Sequence, residues 1–336
     1  MQRAVMMILK FLAAIAATGV LLFAFGYLAT MGEYGVRQTV AEDPSLPSVE
    51  LNGALFHAQD FGDPSQPTVI VVHGGPGGDH RALLPLQALE DWYHVVFYDQ
   101  RGSGLSARVS AEQLNLDTFV ADLDAIVALY GRGQPVHLIG HSWGGGLAAI
   151  YTARHPQKVD RLVLAEPVPL TPRMAEAAGI VYGASLDPEI LLSGLRFWFQ
   201  SLHVDGSDSH ARSDYLFTRM APRANPEHHC SGAMNSPDTA MWRMGTLAIQ
   251  SVMASILDEE GRLQSGLLDG IGNYADEVIL LVGDCSSLIG PAFQEQQMML
   301  FPAARMAVIE EAGHMMFIDQ PAASVAAIRA FLAADQ

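Results

Sequence analysis

The sequence predicts an α/β fold, a mostly parallel β-sheet with helices on both faces. Short apolar runs at Thr68–Val72, His94–Tyr98, Arg161–Ala165, Glu277–Gly283 and Arg305–Ile309 have the length and β-branched content of buried strands. Segments of helical period alternate with them, as in residues 117–130, where Phe119, Val120, Leu123, Ile126 and Val127 share one face. Strands that alternate with helices pair in parallel, because each crossover returns the chain to the same end of the sheet. The chain has 336 residues, 50% of them apolar and 16% charged, enough to bury a large core and to exclude disorder.

From the N-terminus, residues 11–31 are apolar or small and uncharged, with Arg3 and Lys10 before them. A run of that length matches the bilayer core, and leading positive charges hold the N-terminus in the cytoplasm. Residues 1–31 are therefore expected to be a transmembrane signal anchor, with the remainder extracytoplasmic. The alternative is a signal peptide cleaved near Ala29-Thr30-Met31-Gly32, which would release a secreted protein. Residues 32–48 read as a polar tether. The formal charge of -17, from 36 acids against 19 bases, excludes nucleic acid as a partner, since phosphate contacts need clustered Lys and Arg. Cys230 and Cys285 are the only cysteines; they could pair in an oxidising compartment or stay as buried thiols, and no zinc-type spacing is present.

The chemistry-bearing stretch is Gly140-His141-Ser142-Trp143-Gly144-Gly145, between the apolar run Val136–Ile139 and a small-residue helical pattern. A G-x-S-x-G sequence in a strand-turn-helix context forms a sharp turn that lifts the serine hydroxyl off the sheet edge, and its glycines admit the strained backbone. The helix starting there favours negative charge at its N-terminus. His73-Gly74-Gly75-Pro76-Gly77-Gly78 ends an earlier strand. It lacks the Lys and Ser/Thr of a phosphate loop, and is expected to bring the Gly75 amide beside that of Trp143 as an oxyanion hole. Asp99 and Arg101, in Asp99-Gln100-Arg101-Gly102-Ser103-Gly104, are expected to brace loops rather than react. Residues 168–274, rich in Met, aromatic residues and His and broken at Asn225-Pro226 and Ser236-Pro237, read as a helical lid inserted after the strand ending near Ala165. The core is then residues 49–167 and 275–336. No metal or organic cofactor is implied.

Together with Ala312-Gly313-His314, these motifs resemble the α/β-hydrolase superfamily and, within it, the proline iminopeptidase-like (S33-like) group, in family order over about residues 49–332. The resemblance implies Ser142 as nucleophile and His314 as general base. The chemistry agrees, since a serine hydroxyl needs an imidazole to take its proton. His141 is expected to turn away from the serine, and His228 and His229 to serve packing or surface roles. The family's usual acid position falls on Ser286, which carries no charge. Glu166 and Asp284 remain as candidates; Glu166 is favoured because it ends the strand after the elbow helix, where haloalkane dehalogenases keep their acid. The group's Trp-Glu pair reads Trp242-Arg243 here, and an arginine would repel the free amine of a peptide substrate.

The expected activity is therefore cleavage of an amide or ester in a small molecule or short peptide through an acyl-enzyme. The alternatives are a lipase-like hydrolase of lipophilic esters, with Phe197-Trp198-Phe199 and residues 241–253 lining an apolar pocket, and a noncatalytic membrane-anchored binding protein that keeps the fold.

Overall fold

A computed structural model describes residues 2–178, 187–206, 208–224, 229–230, 241–287 and 289–333. The expected breaks at Asn225-Pro226 and Ser236-Pro237, and His228, lie outside the described residues. Eight strands form one sheet in the order β1-β2-β4-β3-β5-β6-β7-β8. They are β1 (Ser48–Leu51), β2 (Ala54–Phe61), β3 (Thr68–Val72), β4 (His94–Tyr98), β5 (Val136–His141), β6 (Val159–Ala165), β7 (Val278–Gly283) and β8 (Ala304–Ile309). β1 and β2 run antiparallel at one edge; every pair from β4 to β8 is parallel.

Alternation along the central strands divides the core in two. Ile70, Val72, Leu138, Leu162, Leu164 and Leu280 face Leu123 and Leu147, which belong to α2 (Leu116–Gly131) and α3 (Trp143–Arg154). Val69, Val71, Ile139, Val163, Ile279 and Leu281 face Leu83, Leu86, Ile328 and Phe331. Between β3 and β4 lies a 3-10 helix from Arg81 to Leu89 with Pro85 inside it, a residue that supplies no N–H to an α-helical ladder.

The strand register positions the site. His141 of β5 pairs with Ala165 of β6, Ala165 with Leu281 of β7, and Gly283 with Ile309 of β8. The residues that follow these strands therefore emerge together at one end of the sheet, where open parallel sheets hold their ligands.

Between β6 and β7 the described residues form α4 (Pro172–Ala178), α5 (Pro188–Ser201), α6 (Ala211–Ala224) and α7 (Thr246–Ile256). After β7 come α8 (Pro291–Met298) and α9 (Pro321–Leu332). At the N-terminus α1 (Gln2–Ala29) contains the apolar stretch Val5–Ala29 and, within it, Lys10. The segment expected as a tether is packed on the body: Thr39 and Val40 are buried, the Val40 amide donates to the Leu105 carbonyl, and Tyr34 bridges to Val204.

Asp99 and Arg101 brace the sheet edge. Asp99 accepts from the Nδ1 atoms of His57 and His80, at 2.8 and 2.7 Å, and from the Leu105 amide. Arg101 meets Asp122 of α2 through two bonds of 2.7 Å, both side chains being 3% exposed. Arg101→Met leaves the Asp122 carboxylate buried without its counter-charge, so we expect a loss of roughly 3–5 kcal/mol in chemical unfolding, compared with little change for an exposed arginine.

Candidate active site

Ser142 stands between β5 and α3 with φ 56° and ψ -121°, a conformation in which a residue with a side chain is strained. Two neighbours make it possible. A Cβ on Gly144 would overlap the Val72 carbonyl oxygen, and one on Gly140 would overlap the Gly144 carbonyl, so β5, the turn and α3 close up only with glycine at both positions. The Ser142 amide donates to the Ala165 carbonyl at 3.0 Å, and its carbonyl accepts from Gly145, Gly146 and Val168.

Glu166 follows β6 with φ 40° and has no exposed surface. Its Oε2 accepts from His314 Nδ1 at 2.8 Å and from the Ser286 hydroxyl at 2.9 Å, while Oε1 accepts from the Gly283 amide at 2.8 Å. Three donors compensate the burial of the carboxylate. With the Nδ1 proton directed at Glu166, Nε2 is the basic nitrogen of His314. Asp284, the other candidate acid, is exposed, and its carboxylate meets Cys285 Sγ.

His141 reaches the loop that carries His314. Its Nε2 donates to the His314 carbonyl at 2.8 Å, and the two rings lie 4.8 Å apart. The Gly-rich loop is held in a similar way. Gln100 donates its amide to His73 Nε2 and its side-chain NH2 to the His73 carbonyl, and its Oε1 accepts from the Trp143 indole at 2.9 Å. His73 Nδ1 then donates to the Gly74 carbonyl. A Cβ placed on Gly74 would sit 3.1 Å from Ser142 Cβ, so this loop runs directly against the serine. Gly75, beside it, has φ 131°. His73, Gln100 and Gly283 were not singled out from the sequence; the first two stand inside quoted motifs, but nothing local indicates that they hold each other.

Two expectations about the insertion, for Arg243 and for Trp198 and Phe199, are corrected. Arg243 does not present its charge to a ligand. It is fully buried, bonded to Asp214 at 2.9 Å, to Asp208 at 2.6 Å and to the Arg37 carbonyl at 3.0 Å, because a guanidinium out of water must satisfy its donors. Trp198 and Phe199 lie against Phe23 of α1 instead of lining a pocket, while Phe197 is buried. His229 Nδ1 bonds to Asp319 at 2.7 Å, and Asp319 also accepts from the amides of Cys230 and Gly313, beside His314. The cysteines form a disulfide, Cys230–Cys285, which joins the insertion to the loop that carries Ser286. An apolar cavity beside the elbow is lined by Trp143, Val168, Leu170, Ile256, Leu263 and Leu267. Where an ion could be held, at His57, His80 and Asp99, both histidine Nδ1 atoms already bond to the carboxylate.

With this geometry in place, residues 67–321 match the family model for the alpha/beta hydrolase fold. The chain belongs to the alpha/beta hydrolase family. It is 38% identical over 121 residues to a proline iminopeptidase of Heyndrickxia coagulans, covering 35% of this chain and 42% of that protein. To a proline iminopeptidase of Lactiplantibacillus plantarum it is 27% identical over 308 residues, covering 84% of this chain and 98% of that one. Of the first of these relatives the matched stretch thus spans less than half the length. The alpha/beta hydrolase fold is also shared with the crystal structure of a membrane phospholipase A, at TM-score 0.60 and 19% identity over 99% of this chain and 98% of that one.

Burial lowers the pKa of four imidazoles from 6.5: His73, His137 and His314 to about 4 and His141 to about 3. On unfolding each returns toward 6.5 and takes up a proton below that pH. Stability is therefore full above pH 6.5 and is lost as pH falls toward about 4. The melting temperature should drop across that window; a flat profile would contradict the burial of these rings in neutral form.

Proposed function

We propose that this chain is a serine hydrolase acting on an amide or ester of a small molecule or short peptide. The observation that carries the reading is the His314–Glu166 pair, 2.8 Å apart, at the same sheet end as the strained Ser142. In this mechanism His314 Nε2 takes the Ser142 proton as Oγ attacks the substrate carbonyl. The amides of Gly75 and Trp143 hold the oxyanion, aided by the N-terminus of α3. Collapse expels the leaving group, which takes the proton from His314. Water, deprotonated by the same nitrogen, then releases the acyl group and regenerates Ser142. Glu166 keeps the imidazole in the required tautomer and offsets the imidazolium charge. Residues 168–274 act as a lid over the site, and residues 1–31 as an anchor that leaves the catalytic part extracytoplasmic. The Cys230–Cys285 disulfide suits an oxidising compartment.

The similarity to proline iminopeptidases favours the N-terminal residue of a short peptide as the acyl group taken by Ser142, with the rest of the peptide leaving as the amine. With Arg243 neutralised by Asp208 and Asp214, the objection that it repels an ammonium falls away. A lipophilic ester is the second reading, favoured by the apolar α1, which would hold the chain at lipid. The binding-protein reading loses its motive, because Ser286 supports a carboxylate supplied from elsewhere in the fold.

A fluorophosphonate probe should label the intact protein and not Ser142→Ala; absence of labelling from the folded wild type would reject an activated serine. Aminoacyl-arylamides and acyl esters of increasing length then separate the two substrate readings.

The acid assignment has its own expected outcome. Glu166→Gln should lower kcat roughly a thousandfold or more through loss of the orienting charge. Ser286→Ala should lower it about tenfold, the scale of one hydrogen bond to a charged group. Asp284→Ala should leave it near wild type, and the reverse order would move the acid to Asp284.

A further inference from the structure

Helix α5 carries an apolar stripe that faces away from the protein. Leu191, Leu192, Leu195 and Trp198 are 50%, 69%, 54% and 42% exposed. Their i, i+1, i+4 and i+7 spacing places them on one face, while Phe197, Gln200 and Ser201 on the opposite face are buried. Gln200 fixes this orientation by accepting from the Tyr215 hydroxyl and donating to that of Tyr34. Scattered apolar residues at a surface need no explanation, but a contiguous stripe of this kind marks a contact.

The stripe runs into α1. Phe23 of α1 lies 6.2 Å from Trp198 and 5.6 Å from Phe199 between ring centroids, and Tyr27 lies 4.2 Å from His203. His203 Nε2 donates to the Tyr27 carbonyl at 3.0 Å. The Phe199 ring covers Gly26 so closely that a Cβ there would overlap it. Within the 25-residue stretch Val5–Ala29 the most apolar 18-residue window has a mean hydropathy of 2.3 and is not buried. At about 1.5 Å per residue the whole stretch is long enough for a hydrocarbon core of about 30 Å.

We propose that α5 lies on the bilayer surface beside the emerging end of α1, with Leu191, Leu192, Leu195 and Trp198 submerged in the interfacial layer. The partner is lipid, because the stripe is continuous with a helix whose composition fits hydrocarbon. Trp198 marks the junction, at the depth where tryptophan is enriched. This rests on the reading of α1 as a membrane anchor and adds a second contact that orients the insertion against the membrane.

The test uses the full chain in phosphatidylcholine vesicles containing phosphatidylglycerol. An environment-sensitive fluorophore is attached at Leu192→Cys, at Leu195→Cys, at Val20→Cys within α1 and at Met299→Cys on the body, while the native cysteines remain paired. Labels at 192 and 195 are expected to shift to the blue and to lose most of their emission to a quencher carried near the lipid headgroup. The label at 20 should respond to a quencher at the acyl-chain end, and the label at 299 to neither. Water-like, unquenched labels at 192 and 195 with a quenched label at 20 would overturn the proposal and leave the anchor standing. A label at 20 that no lipid quencher reaches would overturn both. Blue-shifted labels at 192 and 195 that lipid quenchers miss would assign the stripe to a protein contact and also overturn it.

Discussion

The constraint on which the candidate site depends is the burial of the Glu166 carboxylate. A charge with no exposed surface is tolerated only when donors replace its water, and here the donors come from three places. The Gly283 amide stands at the end of β7, Ser286 in the loop after it, and His314 in the loop after β8. They converge because β6, β7 and β8 are neighbours in register and end together. The carboxylate in turn pulls those loops to one point, so sheet topology and site electrostatics specify the same geometry.

Ser286, where the family resemblance would have placed the acid, holds a hydroxyl that donates instead to the Glu166 carboxylate from the adjacent strand end. The imidazole meets a carboxylate at Nδ1 in either arrangement, and the loop need not lengthen to deliver it. Asp284, one residue before Cys285, is turned to the surface.

Much of the scaffold was legible in the sequence. Buried strands reveal themselves by continuous apolar runs, and helices such as α2 by period; both are local signals. The elbow was legible because Gly140, Ser142 and Gly144 satisfy a steric demand met within a few residues. Long-range pairing was not. Arg243 was visible as a charge, but Asp208, Asp214 and the Arg37 carbonyl, which absorb it, come from distant parts of the chain. His141 was expected to turn away from the serine, but the partner it takes up, the His314 carbonyl 173 positions on, was not legible locally. Trp198 and Phe199 had the composition of a pocket lining, and composition cannot say which surface a helix turns toward α1. Two cysteines give no pairing information beyond compartment, whereas their placement beside the site gives the disulfide a place in the architecture.

The same buried arginine ties the insertion to the chain that leaves α1. Arg243 binds the Arg37 carbonyl on one side and Asp208 and Asp214 on the other, and Asp214 also accepts from Arg108 and from the Thr246 amide. One step away, Asp79 takes the amides of Trp242 and Arg243, and the Gly245 amide donates to the Gly77 carbonyl in the glycine-rich loop. Burial and the nearby Asp99 raise Asp79 to about 7, so this junction sits where a modest change in surroundings alters its charge. The N-terminal segment, the insertion and the loop beside Ser142 thus share one buried polar network. Such a network resists being loosened piecemeal, because each broken bond leaves a charge or amide without a partner. The placement of the segment after α1 and that of the insertion are therefore set together.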